Sequence, residues 1–168
     1  NLIGAYNVDN ALAAITIGLK MGVKEQDASD AVAGYKPQNN RSQLTETGRN
    51  RLVVDAYNAN PTSMAAAIEN FSMMKAQDKM LILGDMRELG DVSADEHRRI
   101  VGMLREKGFD CVWLVGSEFK AVAGDSGFRL FADVDEVNKA LESEKITGKT
   151  ILIKGSNSIG LTKTITNL

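Results

Sequence analysis

Apolar positions along the chain follow two rhythms, and the change from one to the other falls near residue 38. Residues 8–20, VDNALAAITIGLK, carry apolar side chains at helical spacing and run into Gly22, a stop signal. The stretch KEQDASDAVAGY predicts a second short helix ending near Gly34. The next segment, KPQNNRSQ, has no period, and its proline and paired asparagines favour turns. A domain boundary is expected there, with residues 1–38 on one side and 39–168 on the other.

Beyond that boundary short apolar runs alternate with amphipathic stretches. QLTETG and RLVVDAY read as two strands joined as a hairpin around Gly48 to Asn50. MLILGD, CVWLVG, RLFA and TILIKGS read as four more strands. Between them, helices are predicted over 61–75, 93–107 and 133–144, with a short final helix after Ser158. Strands that are apolar throughout and separated by helices imply a mostly parallel sheet covered on both faces. The expected fold is a doubly wound, Rossmann-like α/β domain of about six strands, preceded by a short helical piece. Ligands of such a sheet lie beyond the carboxyl ends of its strands. Here those ends carry Asp55, Gly84 with Asp85, Gly116, and Lys154 with Gly155 and Ser156.

Composition narrows the class of partner. The 168 residues are 43% hydrophobic and 25% charged, enough for a real core in a soluble globular chain. A net charge of −2, with no run of five like charges, supplies no field for nucleic acid or anionic lipid and favours small molecules. The single cysteine, Cys111, excludes a disulfide framework or a thiolate zinc site within the chain, and a reducing, cytoplasmic compartment is the simple inference. No apolar run approaches the roughly 20 residues needed to cross a bilayer, and the N-terminus lacks signal-peptide regions. The chain opens at Asn1 without methionine, in what reads as a helix start, so a piece of a longer protein is expected.

Several clusters carry candidate chemistry beside plainer roles. In DAYNANPTSM, Asn60 and Pro61 read as a helix cap and first helical residue. Asp55, Tyr57 and Asn58 have no such job; a polar ligand at the strand end and a solvated loop both account for them. In LIKGSNS, Lys154 ends an apolar strand before groups that open a helix, which suits an anion as well as an ordinary cap. The phosphate-loop pattern G-x-x-x-x-G-K-[ST] is absent from the sequence. Ser93 and Glu96 have capping-box spacing. Asp85 and Glu88 could hold a metal or solvate a loop. His97, the only histidine, shares the helix face of Ile100 and Leu104, where a satisfied, half-buried ring outweighs a catalytic base. Arg41 either is solvated in the linker or clamps a phosphate or sugar hydroxyl between two domains.

YNVDNALAA, the linker Arg41, DAYNANPTSM, GDMRELG with the later His97, and LIKGSNS occur in an order that resembles the C-terminal part of the Mur ligase family. They resemble most the branch that adds D-alanyl-D-alanine. Other Mur ligases, folylpolyglutamate synthase and a non-catalytic Rossmann-like binding module remain alternatives.

The resemblance implies that residues 1–38 are the tail of a central ATP-binding domain and that 39–168 form the C-terminal domain closing over ATP. It implies an ATP- and Mg2+-dependent ligase of peptidoglycan synthesis, joining D-alanyl-D-alanine to UDP-N-acetylmuramoyl-tripeptide through an acyl phosphate. The P-loop and most Mg2+ contacts would belong to preceding domains, leaving this piece inactive alone. Carried over by motif, Asn7 and Asn10 would meet adenine, and Arg41 and Asp55 the ribose or phosphates. Asn58 and Asn60 would lie beside the triphosphate, while Lys154 and Ser156 would serve the dipeptide carboxylate or closure. Tyr6 stands where the family has His, Asn40 where Gly precedes the linker Arg, and Asn157 where Arg follows KGS.

Overall fold

A computed structural model describes residues 7–35 and 42–168. Two helices come first, α1 (Asn7–Lys20) and α2 (Glu25–Gly34), which pack on each other. Gly22 supplies the positive φ of 88° that the turn between them requires, and the Val23 N–H closes it on the Gly18 carbonyl at 3.0 Å. Arg41, Tyr6 and the expected boundary at residue 38 lie outside the described residues.

The rest is one six-stranded sheet with its covering helices. In chain order its elements are β1 (Gln43–Glu46), β2 (Arg51–Asp55), α3 (Pro61–Met73), β3 (Lys79–Gly84), α4 (Ser93–Glu106), β4 (Val112–Val115), α5 (Ser117–Val122), β5 (Arg129–Phe131), α6 (Val134–Glu144) and β6 (Thr150–Lys154). The spatial order is β1-β2-β6-β3-β4-β5. β1 and β2 form the expected antiparallel hairpin, and every other pairing is parallel.

Strand residues alternate between two cores, as the period of a pleated strand demands. Leu81 and Leu83 join Met64, Ile68, Ile100, Leu104 and Phe119 under α3, α4 and α5. Met80 and Ile82 join Val137, Leu141 and Leu161 on the opposite face. Each fully buried Leu or Ile contributes roughly 1.5–3 kcal/mol of transfer free energy. Both faces are therefore sealed, and only the strand ends remain for a ligand.

Two elements differ from the sequence expectation. α5 was not anticipated, and the final helix is a pair of 3-10 turns, Asn157–Ile159 and Leu161–Asn167, separated by Gly160 at φ 77°. Among the described residues no helix is long and apolar enough to cross a membrane.

Cys111 packs against the second core just before β4. Burial pushes its thiol above the ordinary range, against the pull of Lys149 and Arg129. The thiolate fraction at pH 7 to 8 is thereby reduced, so a disulfide reagent should modify Cys111 several-fold more slowly than free cysteine and catch up only at more alkaline pH. Equal rates at pH 7.5 would contradict that placement.

Candidate functional site

The connection after β2 runs to α3 on one face, and the connection after β6 runs to the 3-10 turns of the other core. Neighbouring strands whose connections part in this way open a crevice at their carboxyl ends. Asp55 and Lys154 are direct partners in the β2–β6 register, so both arrive at that crevice. The Lys154 ammonium donates to Asp55 Oδ2 at 2.7 Å and to the Asn58 carbonyl at 3.1 Å. The other Asp55 oxygen accepts the Ser42 N–H at 3.2 Å. Side-chain exposure is 2% for Lys154 and 16% for Asp55, so the pair is largely withdrawn from water.

The start of α3 forms the next part of the rim. Asn60 is extended, its Oδ1 accepts the Ser63 N–H at 2.8 Å, and Ser63 Oγ accepts the Asn60 N–H at 3.1 Å. Pro61 takes a position where no N–H is needed. Asn60 is thus occupied by the cap the sequence predicts. Asn58 bends the loop by accepting the Ala59 N–H at 2.8 Å, and its side chain is exposed.

A cleft of about 470 Å³ lies over these groups. One wall is Asp55, Tyr57, Asn58, Asn60 and Lys154; the other is Asn7 and Asn10 of α1. Asn10 Nδ2 donates to Asn7 Oδ1 at 3.4 Å, which sets the two amides side by side. The structure therefore gathers six of the predicted site residues around one space. Ser156 is not among the described lining residues. It is 5% exposed, and its Oγ accepts the Arg87 N–H at 2.9 Å and reaches the Ala59 carbonyl at 3.5 Å. Ser42 and Ser63, which also line the cleft, escaped sequence reasoning because nothing about their residue type marks them.

The GDMRELG loop and His97 form a separate polar cluster. Asp85, fully buried, is neither a metal ligand nor a loop solvator. It accepts the Glu118 and Phe119 N–H groups at 3.0 and 2.9 Å and caps α5. The expected Ser93–Glu96 capping box does not form. Ser93 lies inside the helix and donates to Glu118 at 2.7 Å, while Glu96 pairs with Arg99. His97 is fully rather than half buried, and its ring meets Phe119 edge-on at 4.6 Å. Nε2 accepts the Met86 N–H at 3.1 Å, which assigns the ring proton to Nδ1, donating to the Ser93 carbonyl at 2.7 Å. With both nitrogens engaged, His97 pins the loop and has no base to offer.

The cleft has the size of a small-molecule site and the groups a nucleotide needs: amides for the edge of a base, a helix start and an ammonium for phosphate oxygens. Among the described residues no three carboxylate, imidazole or thiol groups come together.

Residues 40–157 match the family model described as Mur ligase, glutamate ligase domain. A UDP-N-acetylmuramoyl-tripeptide–D-alanyl-D-alanine ligase of Treponema pallidum is 32% identical over 95% of this chain and 36% of its own length. Its counterpart in Bacillus subtilis is 30% identical over 99% of this chain and 38% of its own. A crystal structure of MurF from Acinetobacter baumannii superposes with a TM-score of 0.85 at 27% identity, covering 98% of this chain and 38% of that one. The chain thus spans little more than a third of the length of these relatives.

Proposed function

This chain belongs to the Mur ligase family, and from that premise we propose that it is the C-terminal part of an ATP-dependent ligase of peptidoglycan synthesis. The whole enzyme would add D-alanyl-D-alanine to UDP-N-acetylmuramoyl-tripeptide in the cytoplasm. Residues 1–38 would be the tail of the central ATP-binding domain and 39–168 the domain that closes on it; a family match beginning at residue 40 supports this division. The observation that carries the reading is the shared cleft, where amides from α1 face the ends of β2 and β6.

ATP supplies the phosphoryl group that turns the peptide carboxylate into an acyl phosphate, which the dipeptide amine can attack. This chain's own part is to bind and to exclude water. Asn7 and Asn10 present amide donors and acceptors to the adenine edge. Asn58 and the Asn60-capped start of α3 face the triphosphate, with Arg41 and Asp55 on the ribose side. Lys154 directs its charge to the anionic groups that meet there, and Ser156 holds the loops beside it. A water-poor closed cleft protects the acyl phosphate from hydrolysis. Mg2+ would be held mainly by the central ATP-binding domain.

In the ligase that carries this segment, amide formation should require D-alanyl-D-alanine and fail with glutamate or single amino acids. Phosphate release measured with each acceptor separates the cases. Preference for glutamate would sink the proposed acceptor.

A further inference from the structure

At the amino-terminal ends of β2 and β6, opposite the cleft, the fold gathers three cations. The parallel ladder of these strands continues backward from the partners Arg51 and Thr150. The Arg51 N–H donates to the Lys149 carbonyl at 2.9 Å, and the Gly148 N–H donates to the Arg49 carbonyl at 2.8 Å. Arg49, Arg51 and Lys149 thereby meet around a hollow of about 330 Å³, which Glu46, Asn50 and Thr150 also line. β2 runs from Arg51 here to Asp55 in the cleft, about 13 Å at roughly 3.3 Å per residue, so the two spaces are separate.

The floor of the hollow is rigid. Asn50 is 4% exposed; its amide donates to the Ile146 and Leu168 carbonyls at 2.8 and 2.7 Å, and its Oδ1 accepts the Lys149 N–H at 3.0 Å. One buried side chain thus ties the β1–β2 turn, the approach to β6 and Leu168 together, and fixes the backbone beneath the cations before a ligand arrives. The charge above it is unbalanced. Arg51 pairs with Glu46 at 2.7 Å, whereas among the described residues neither Arg49 nor Lys149 has a carboxylate within ion-pair distance. Arg49 makes one long contact, at 3.5 Å, with the Thr166 carbonyl. Three cations against one carboxylate, in a chain of net charge −2, repel one another in a way that an anion would relieve. Two guanidinium forks and an ammonium suit a phosphate group, whose oxygens can meet all three, better than a carboxylate with two.

From this geometry we propose that the hollow is a second ligand site, which takes a phosphate group carrying two charges, free or borne on a small molecule. Arg49, Arg51 and Lys149 meet its oxygens, Asn50 holds the backbone under them, and Glu46 gives up part of its hold on Arg51 when the anion enters. A volume at the small end of ligand sites agrees with a compact anion. The site shares no residue with the cleft, and the proposal stands without the ATP reading.

The test is a titration of the 15N-labelled 168-residue chain at pH 8 and constant ionic strength. Inorganic phosphate should shift the amides of Gly48, Arg51, Gly148 and Thr150 along one saturable curve, with half-saturation on the order of 1 mM. Lys149→Gln and Arg49→Gln should each weaken that response about tenfold. Lys149→Arg should keep it, and the amides of β3 and β4 should stay in place in every variant. The start of α3 can also attract phosphate, so the Ser63 amide is followed as a separate curve, which these substitutions should leave alone. A tighter response to glycerol 3-phosphate would assign the borne group, and a tighter response to inorganic phosphate the free ion. Shifts at Ser63 without shifts at Gly48 and Gly148, a drift that chloride reproduces, or an equal response in Lys149→Gln would each overturn the second site. Succinate acting as strongly as phosphate would overturn the choice of a phosphate group.

Discussion

Gly116→Ala is expected to lower stability by about 3–5 kcal/mol, from a backbone conformation that disfavours side chains and from overpacking against a fixed group. Gly116 precedes α5 with a φ of 119°. A Cβ there would lie 2.3 Å from the Asp85 carboxyl carbon. Flexible side chains move aside from such contacts, but Asp85 cannot, because the Glu118 and Phe119 N–H groups hold its two oxygens in a fully buried space. Displacing it would leave those donors unpaired, at roughly 1–3 kcal/mol each.

Against a total stability of about 5–15 kcal/mol for a domain, the variant should show a much lower urea midpoint or fail to fold. Gly102→Ala is the control of opposite sign. Gly102 lies inside α4 with nothing within 4 Å of its added methyl, so alanine should stabilise by about 0.5–1 kcal/mol. Equal midpoints for the two variants would show that Asp85 is free to move.

The strands and long helices were legible because each rests on a local pattern strong enough to survive tertiary packing. MLILGD and TILIKGS are apolar without a break, and a sheet buried on both faces requires that. α5 was not legible: it is six residues long with Phe119 as its buried anchor, too short for a period to show. The Ser93–Glu96 box failed for a related reason. The 3-10 turn Gly90–Val92 leads directly into α4, so Ser93 falls inside the helix instead of before it.

Within the site, Asp55, Tyr57, Asn58 and Lys154 could be found from their place at strand ends, while Asn60 reads as a helix cap and joined the site only by family resemblance. Their partners could not, since the pairing of Asp55 with Lys154 joins residues 99 positions apart through a register that no local pattern reveals. The convergence of Asn7 and Asn10 on the same cleft was suggested only by family resemblance. Asp85, at the end of β3, could be a metal ligand or a loop solvator by sequence, and His97, within α4, reads there as a satisfied ring. Their hydrogen bonds account for them as a cap and a pin.

The 168-residue chain by itself is expected to form no amide from ATP, D-alanyl-D-alanine and UDP-N-acetylmuramoyl-tripeptide. Phosphoryl transfer depends on holding the triphosphate and neutralising the charge that spreads over its oxygens. Among the described residues the cleft offers the start of α3 and one ammonium already shared with a carboxylate. The sequence contains no phosphate loop, and the described residues assemble no cation site. Removal of a single electrostatic stabiliser from an active site costs about 100- to 1000-fold in rate, so the lack of several together should put turnover below the blank. Phosphate release and product mass measured side by side with the parent ligase would check this. Turnover by the purified chain would mean that its own cleft activates the carboxylate, and the division of labour proposed between the two domains would have to be abandoned.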